Sequence, residues 1–339
     1  MRRGLALALL LFPALVLAAP AAKPPAPMSI AMPGGEGGIG FDDLRYSTTL
    51  AKLLVPGGRS GRLNLVDPLS GGVVSIPGFS VVKEFNGGHD DGVTSVAEGG
   101  GLLFATDRTS RQLSIIYYPN RAIVGHVALS AGPDYVRWVE SAREVWVTEP
   151  DSERIEVFHL EQTRPPSLTF VTRIAVPGGP ESLVMDATRG RAYTHVGGGK
   201  TAAIDLRTRA VATTFDHGCG EAKGVALDAR LGFLFVACEE GAVATIDVTS
   251  GKTLGHVKVG AGIDIIGYNP ELGHLYVPSS ETAKLAIVGV SKDGGLSVLG
   301  TFPGTKDSHC VAAAGKVFVA DPARGRLNVL KDPYPAEGR

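Results

Sequence analysis

The sequence predicts an all-β fold, a seven-bladed β-propeller of four-stranded blades, and three observations carry that prediction. A short β-rich run is spelled seven times: LLVPGG at 53–58, LFATDR at 103–108, VWVTEP at 145–150, AYTHVG at 192–197, LFVACE at 234–239, LYVPSS at 275–280 and VFVADP at 317–322. The copies recur at intervals between 41 and 50 residues, longest between the first and second, which suits a four-stranded meander stacked on its neighbours. No window shows the i, i+3, i+4 apolar spacing of an amphipathic helix as clearly.

Within one copy the strands can be read directly. In the fifth, apolar or alternating runs at 224–228, 232–238, 242–247 and 253–259 are separated by turn sequences at Asp228, Glu239 and Thr249. The seventh copy has only three runs, at 308–312, 316–320 and 326–330, before KDPYP interrupts the pattern. The segment MSIAM at 28–32, ahead of the first full copy, is the expected donor of the missing outer strand, because closing the ring removes an unpaired edge.

The ahead-lying residues have another character. Arg2 and Arg3 precede an apolar stretch at 5–17 that ends in Ala18 and Ala19, the layout of a secretory signal peptide and short for a membrane span. The expected organisation is a signal peptide at 1–18, a Pro/Ala-rich tether at 19–27, the propeller at 28–333 and a C-terminal tail at 334–339, with a periplasmic or secreted location. The 339 residues are 44% hydrophobic and include 45 glycines and 22 prolines, enough core and enough turns for one large β domain. A formal charge of −1 gives no electrostatic reason to expect nucleic acid or an anionic membrane as partner, and no further apolar run suggests a membrane span in the mature protein.

Of three cysteines, Cys219 precedes the inner strand of the fifth blade and Cys238 ends its second strand, so both fall toward one face. They form either a disulfide or two small buried hydrophobes, and Cys310 is then a free thiol. There is no C-x-x-C-H element for covalent haem.

The repeat also says where a site would lie. Stepping back from each β-rich run to the blade entry gives Asp42, Gly92, Asp134, Glu181, Lys223, Asp264 and Asp307 at equivalent places. With neighbouring Asp91 and Glu221, and with Asp107, Glu149 and Asp321 at the turns after the second strands, these acids are expected to form a funnel on one face of the ring. Converging carboxylates favour cations, cationic ligands or a divalent metal ion, and repel phosphates. The competing reading is that each acid bonds backbone amides in its own turn. His89, in GGHDDG, and His309 stand beside the funnel, and His195 and His217 could also face it; such a cluster could hold a transition metal or serve acid–base chemistry, or each ring could be a satisfied core or turn histidine. His126 and His256 repeat at an outer-strand position and read as structural, and Trp138 and Trp146 as packing between blades.

The runs VWVTEP, LYVPSS and VFVADP, the openings Gly132-Pro-Asp134 and Gly179-Pro-Glu181, and the hairpins at 203–211 and 245–253, which carry an IDxxT element, resemble the YVTN-type repeat of exported, YncE-like seven-bladed propellers. The resemblance spans residues 40–333. It implies the fold and supplies no catalytic residue, since the family's repeat residues are structural. Two functions follow as expectations: an exported non-catalytic propeller binding a small ligand, peptide or partner protein at the funnel, or a metal-dependent, lactonase-like hydrolase using funnel carboxylates and histidines.

Overall fold

A computed structural model describes residues 28–337. They form seven four-stranded antiparallel sheets, six of them continuous in sequence, and short 3-10 turns at Tyr118–Asn120, Pro150–Ser152 and Pro322–Arg324 are the only helical elements among the described residues. Blade 1 comprises Arg45–Ser47, Lys52–Pro56, Ser60–Val66 and Val73–Val81; blade 5 comprises Ala222–Asp228, Phe233–Cys238, Ala242–Asp247 and Thr253–Lys258; blades 2, 3, 4 and 6 span 93–128, 136–175, 181–216 and 267–303. The seventh sheet is Val311–Ala313, Val317–Asp321 and Arg326–Leu330, completed by Met28–Ala31. Met28 pairs with Val329 and Ala31 with Arg326, and the Met32 amide then donates to Gly325 O at 3.0 Å. The two ends of the propeller therefore meet in one blade, as the incomplete seventh copy predicts.

Burial follows strand position. The second strands of blades 2, 3, 5 and 6 are buried at every residue, because both of their faces pack on adjacent blades. Outer strands such as Ala210–Asp216 keep their side chains half-buried or exposed. In blades 1 to 6 the ladder between the third and outer strands carries a register shift, as at Val157/Phe158 and Ala203/Ile204. An extra residue there bends and twists the outer strand.

Trp138 and Trp146 both lie between blades, as expected. Trp138 stacks on Phe104 of blade 2 with ring centroids 5.6 Å apart, and Gly99 is required beneath it, since a Cβ there would stand 2.0 Å from the indole. Trp146 is fully buried and its indole N–H donates to Glu144 at 3.0 Å. Polar contacts also join blades: the Tyr268 hydroxyl donates to Asp228 at 2.6 Å, and the Ser80 amide to Asp107 at 2.7 Å. At the end of the chain Asp332 accepts from Tyr276 at 2.7 Å and Tyr334 packs edge-on against Phe302 of blade 6.

The signal peptide and tether expected at 1–27 lie outside the described residues. Among the described residues no helix is long and apolar enough to cross a membrane.

Ile30 and Met32 are 7% and 2% exposed, so the closing segment contributes core as well as four ladder pairs. Deleting residues 1–32 is expected to remove about 3–6 kcal/mol of apolar burial and lower the melting temperature by several degrees in calorimetry. An unchanged melting temperature would show that the ring does not depend on this strand.

Candidate functional site

The loop at 82–92, which accounts for the long first interval, crosses one mouth of the central channel. Buried Arg59 fixes its root: Nε donates to Gly38 O at 2.7 Å, Nη2 to Glu36 O at 2.6 Å, and Nη1 to Val82 O at 3.2 Å and Lys83 O at 3.0 Å. Farther along, Gly88 and His89 run directly over Gly40, where a Cβ would sit 2.1 Å from Gly88 O. Only glycine leaves room for that crossing. The loop delivers His89 to residues of distant blades: Nδ1 is 3.2 Å from Asp42 before blade 1, Nε2 is 3.8 Å from Asp264 before blade 6, and the ring centre is 5.1 Å from that of His309 before blade 7.

His89, Lys223 and Asp264 line both of two adjoining cavities, of about 440 and 520 Å³. Five residues from the repeated entry position, Asp42, Asp134, Glu181, Lys223 and Asp264, converge on the first cavity with Arg108 and Tyr135. Asp307 and His309 line the second. The mouth is thus mixed in charge rather than acidic. Lys223 Nζ lies 2.5 Å from Glu221, 3.2 Å from Glu181 and 3.7 Å from Glu239, and Arg108 pairs with Asp134 and, at 3.3 Å, with Asp42.

Charge is unevenly shared. Burial pushes the Asp42 carboxyl up, but His89 and Arg108 outweigh it and hold Asp42 below the usual carboxylate range. Asp42 in turn, against desolvation and with help from Asp264, raises His89 to about 9. Asp134 is left the poorer partner: burial, with Asp42 and Glu181 nearby, pushes it up to about 7 despite Arg108. Asp264 is also raised, by burial against the pull of His309 and His89. One guanidinium serving two buried carboxylates is the physical reason.

Other predicted funnel residues are elsewhere. Asp107 accepts from the Ser80 and Ser110 amides, at 2.7 and 3.0 Å. Glu149 accepts from the Ala131 amide at 2.9 Å and from Arg154 Nε at 2.6 Å, and Asp321 faces Arg326 Nε at 3.1 Å. These three buried acids turn toward the hairpins after the second strands and line neither cavity; Asp107 bonds an amide of its own turn, whereas Glu149 and Asp321 pair with Arg154 and Arg326 instead. Asp91 is half-buried and lines neither cavity, whereas Glu221 is an exposed partner of Lys223. His195 and His217 are buried within the ring. His195 contacts Thr201 Oγ1 at 2.9 Å and Gly224 O at 3.1 Å, and burial followed by His217 pushes it down to about 3. Cys219 and Cys238 form a disulfide with Cα atoms 5.3 Å apart, and Cys310 is free and buried.

Two cations escaped the sequence reading of the funnel. Lys223 was legible, since it occupies the repeated entry position. Arg108 had a weaker signal: it follows Asp107 at a place where two of the other copies have Pro150 and Pro322 and none has a cation. The opposite side of the inner ring holds a further buried pair, Arg137 with Asp43 at 2.6 and 2.9 Å, in which Asp43 also accepts from Ser95 at 2.6 Å.

No family model matches the sequence, and no curated protein matches it. Solved structures show the fold. A chain in the crystal structure of the mitotic checkpoint complex is similar over 95% of this chain and 99% of its own, with a TM-score of 0.72 and 15% identity. Hydrazine synthase of Kuenenia stuttgartiensis is similar over 87% of this chain and 96% of its own, with a TM-score of 0.70 and 12% identity. The β-propeller domain of Myceliophteria thermophila Cps50 (Swd1) is similar over 90% and 99%, with a TM-score of 0.69 and 12% identity.

Two buried groups give pH predictions of opposite sign. His195 titrates below its unfolded value, so the unfolded chain binds the extra proton between about pH 3 and 6.5, and stability falls by a few kcal/mol as pH drops through that window. Urea unfolding of His195→Gln should show a shallower acid slope than the parent. Asp134 titrates above its unfolded value, so its contribution declines as pH rises from about 4 through 7. Asp134→Asn should therefore be as stable as the parent or more so above pH 7, whereas Arg108→Met, which removes the cation paired with Asp134 and leaves Asp42 with His89 alone, should cost about 3–5 kcal/mol.

Proposed function

We propose that the chain is an exported binding module of the YVTN-repeat, YncE-like type, which takes a cationic group of a small ligand, peptide or partner protein at the mouth crossed by residues 82–92. One observation carries this reading. Asp42 and Asp134, both buried and both lining the first cavity, share the single guanidinium of Arg108, and Asp42 Oδ2 has no aligned hydrogen bond. A ligand ammonium or guanidinium entering beside Asp134 and Glu181 supplies the missing positive charge in a partly desolvated site, where such a bond is strong. A cavity of about 440 Å³ suits a small molecule or one long basic side chain. The β-propeller neighbours include a chain of a checkpoint complex, which supports protein partners as the source of that group.

A metal-assisted, lactonase-like hydrolase is the second reading, favoured by the grouping of His89, Asp264 and His309. The binding reading needs less, because it asks for no nucleophile or general base beyond the charges in place.

Thermal-shift and calorimetric titration with arginine, spermidine and choline, against acetate and phosphate, tests the proposal. The cations should raise the melting temperature by mass action, and the double variant Asp134→Asn, Glu181→Gln should weaken their binding at least about tenfold. Stabilisation by the anions alone, or cation binding indifferent to both substitutions, would overturn it.

A further inference from the structure

We propose that His89, Asp264 and His309 form a binding site for a first-row transition-metal dication of the zinc type, where the cationic-ligand cavity adjoins the second one. Their ligand atoms all lie within 4.8 Å of one another. Two imidazoles and one carboxylate are the donors zinc and its neighbours take, whereas calcium asks for six to eight oxygens. The three side chains come from the crossing loop and from the entries to blades 6 and 7, so no compact spacing in the sequence announces them.

Three geometric details favour an ion over a purely polar cluster. First, His89 Nε2 and Asp264 Oδ2 are 3.8 Å apart, too far for a hydrogen bond. Ligands on one tetrahedral ion, each about 2.0–2.1 Å from it, stand roughly 3.4 Å apart, so side-chain rotations on the order of 1 Å close the site. Second, His89 Nδ1 lies 3.2 Å from Asp42 Oδ2, a buried acceptor with no aligned hydrogen bond. Arg108 Nη1, a donor only, also lies 3.1 Å from Nδ1, so an ion at Nε2 displaces the proton there and turns an Nδ1–H to Asp42 and away from Arg108, which yields the carboxylate–histidine–metal arrangement that orients ligating imidazoles. Third, His309 faces backbone carbonyls with both nitrogens, Asp307 O at 2.8 Å from Nδ1 and Phe41 O at 3.0 Å from Nε2. A neutral imidazole has one N–H, so one carbonyl confronts a lone pair. To take an ion the ring turns one nitrogen away from its carbonyl, and the other then keeps its N–H on a carbonyl.

Three protein ligands leave a fourth position open toward the second cavity, which His89, Asp264 and His309 all line. A second grouping, Cys219, Cys238 and Glu240, is closed to metal while its sulfurs are joined in the disulfide.

The test uses the full chain, stripped with chelator and kept free of reductant, titrated with Zn²⁺ by calorimetry and with Co²⁺ by visible absorption. The expected result is one ion per chain, with four-coordinate Co²⁺ bands that Zn²⁺ abolishes. His89→Ala and His309→Ala should each weaken Zn²⁺ at least about tenfold, and Asp42→Asn, which keeps all three ligands, by about 10- to 100-fold; His256→Gln should leave it unchanged. Circular dichroism checks each variant's fold, and His89→Ala, altered on a surface loop, decides the matter if His309→Ala fails to fold. Absence of saturable binding near one ion per chain, or equal affinity in the parent and His89→Ala, would overturn the proposal. Arginine binding measured on chelated protein separates this outcome from the fate of the cationic-ligand reading.

Discussion

The structure depends on the fact that no blade can bury its own faces. A four-stranded sheet packed on one side only would leave half of a buried-type strand such as Phe233–Cys238 in water, so each blade is stable because two neighbours cover it. That condition is met for all seven only when the ring closes. The segment Met28–Ala31 therefore matters beyond its four residues: it supplies the last ladder and brings Ile30 and Met32 into the same core cluster as Phe318, Leu327 and Val329. The repeated positions at the channel mouth, Asp42, Asp134, Glu181, Lys223 and Asp264, sit at strand entries whose spacing the closed ring sets.

Closure also explains why charged groups accumulate at the mouth. Seven entry loops bring equivalent positions close together, so whatever residue type the repeat places there is concentrated. Carboxylates at Asp42, Asp134, Glu181 and Asp264 would repel one another if alone. Arg108, Lys223 and His89 offset that repulsion, each from a different structural source: the turn after a second strand, the repeated entry position itself, and the crossing loop. The offset is incomplete at Asp134 and Asp264, whose carboxyls burial raises, and this residual imbalance distinguishes the mouth from the fully paired Asp43–Arg137 contact farther along the inner ring.

Much of this was legible because the repeat turns one-dimensional spacing into three-dimensional position. The strands Ala242–Asp247 and Arg326–Leu330 have the limits read from the sequence, and the segment expected at 28–32 pairs over Met28–Ala31. Inner strands were read less well. Val311–Ala313 begins later than the apolar run suggests because Ser308 turns its hydroxyl to Ala320 O, at 2.6 Å, instead of joining the ladder. The entry acids were found because their place in the repeat fixes their direction, and Asp107, Glu149 and Asp321 were misplaced because a terminal acid can point to the mouth or back to its own hairpin with the same spacing. The positions of His89 and Arg108 depend on the path of a unique loop and on one turn, for which the other copies offer no template.

Arg59 fastens two regions that also touch where Gly88 and His89 cross Gly40. Its guanidinium holds carbonyls of Glu36 and Gly38, only a few residues beyond the strand that closes blade 7, and of Val82 and Lys83, at the root of the loop carrying His89. The segment that follows the amino-terminal strand and the root of the loop at the channel mouth therefore share one buried cation.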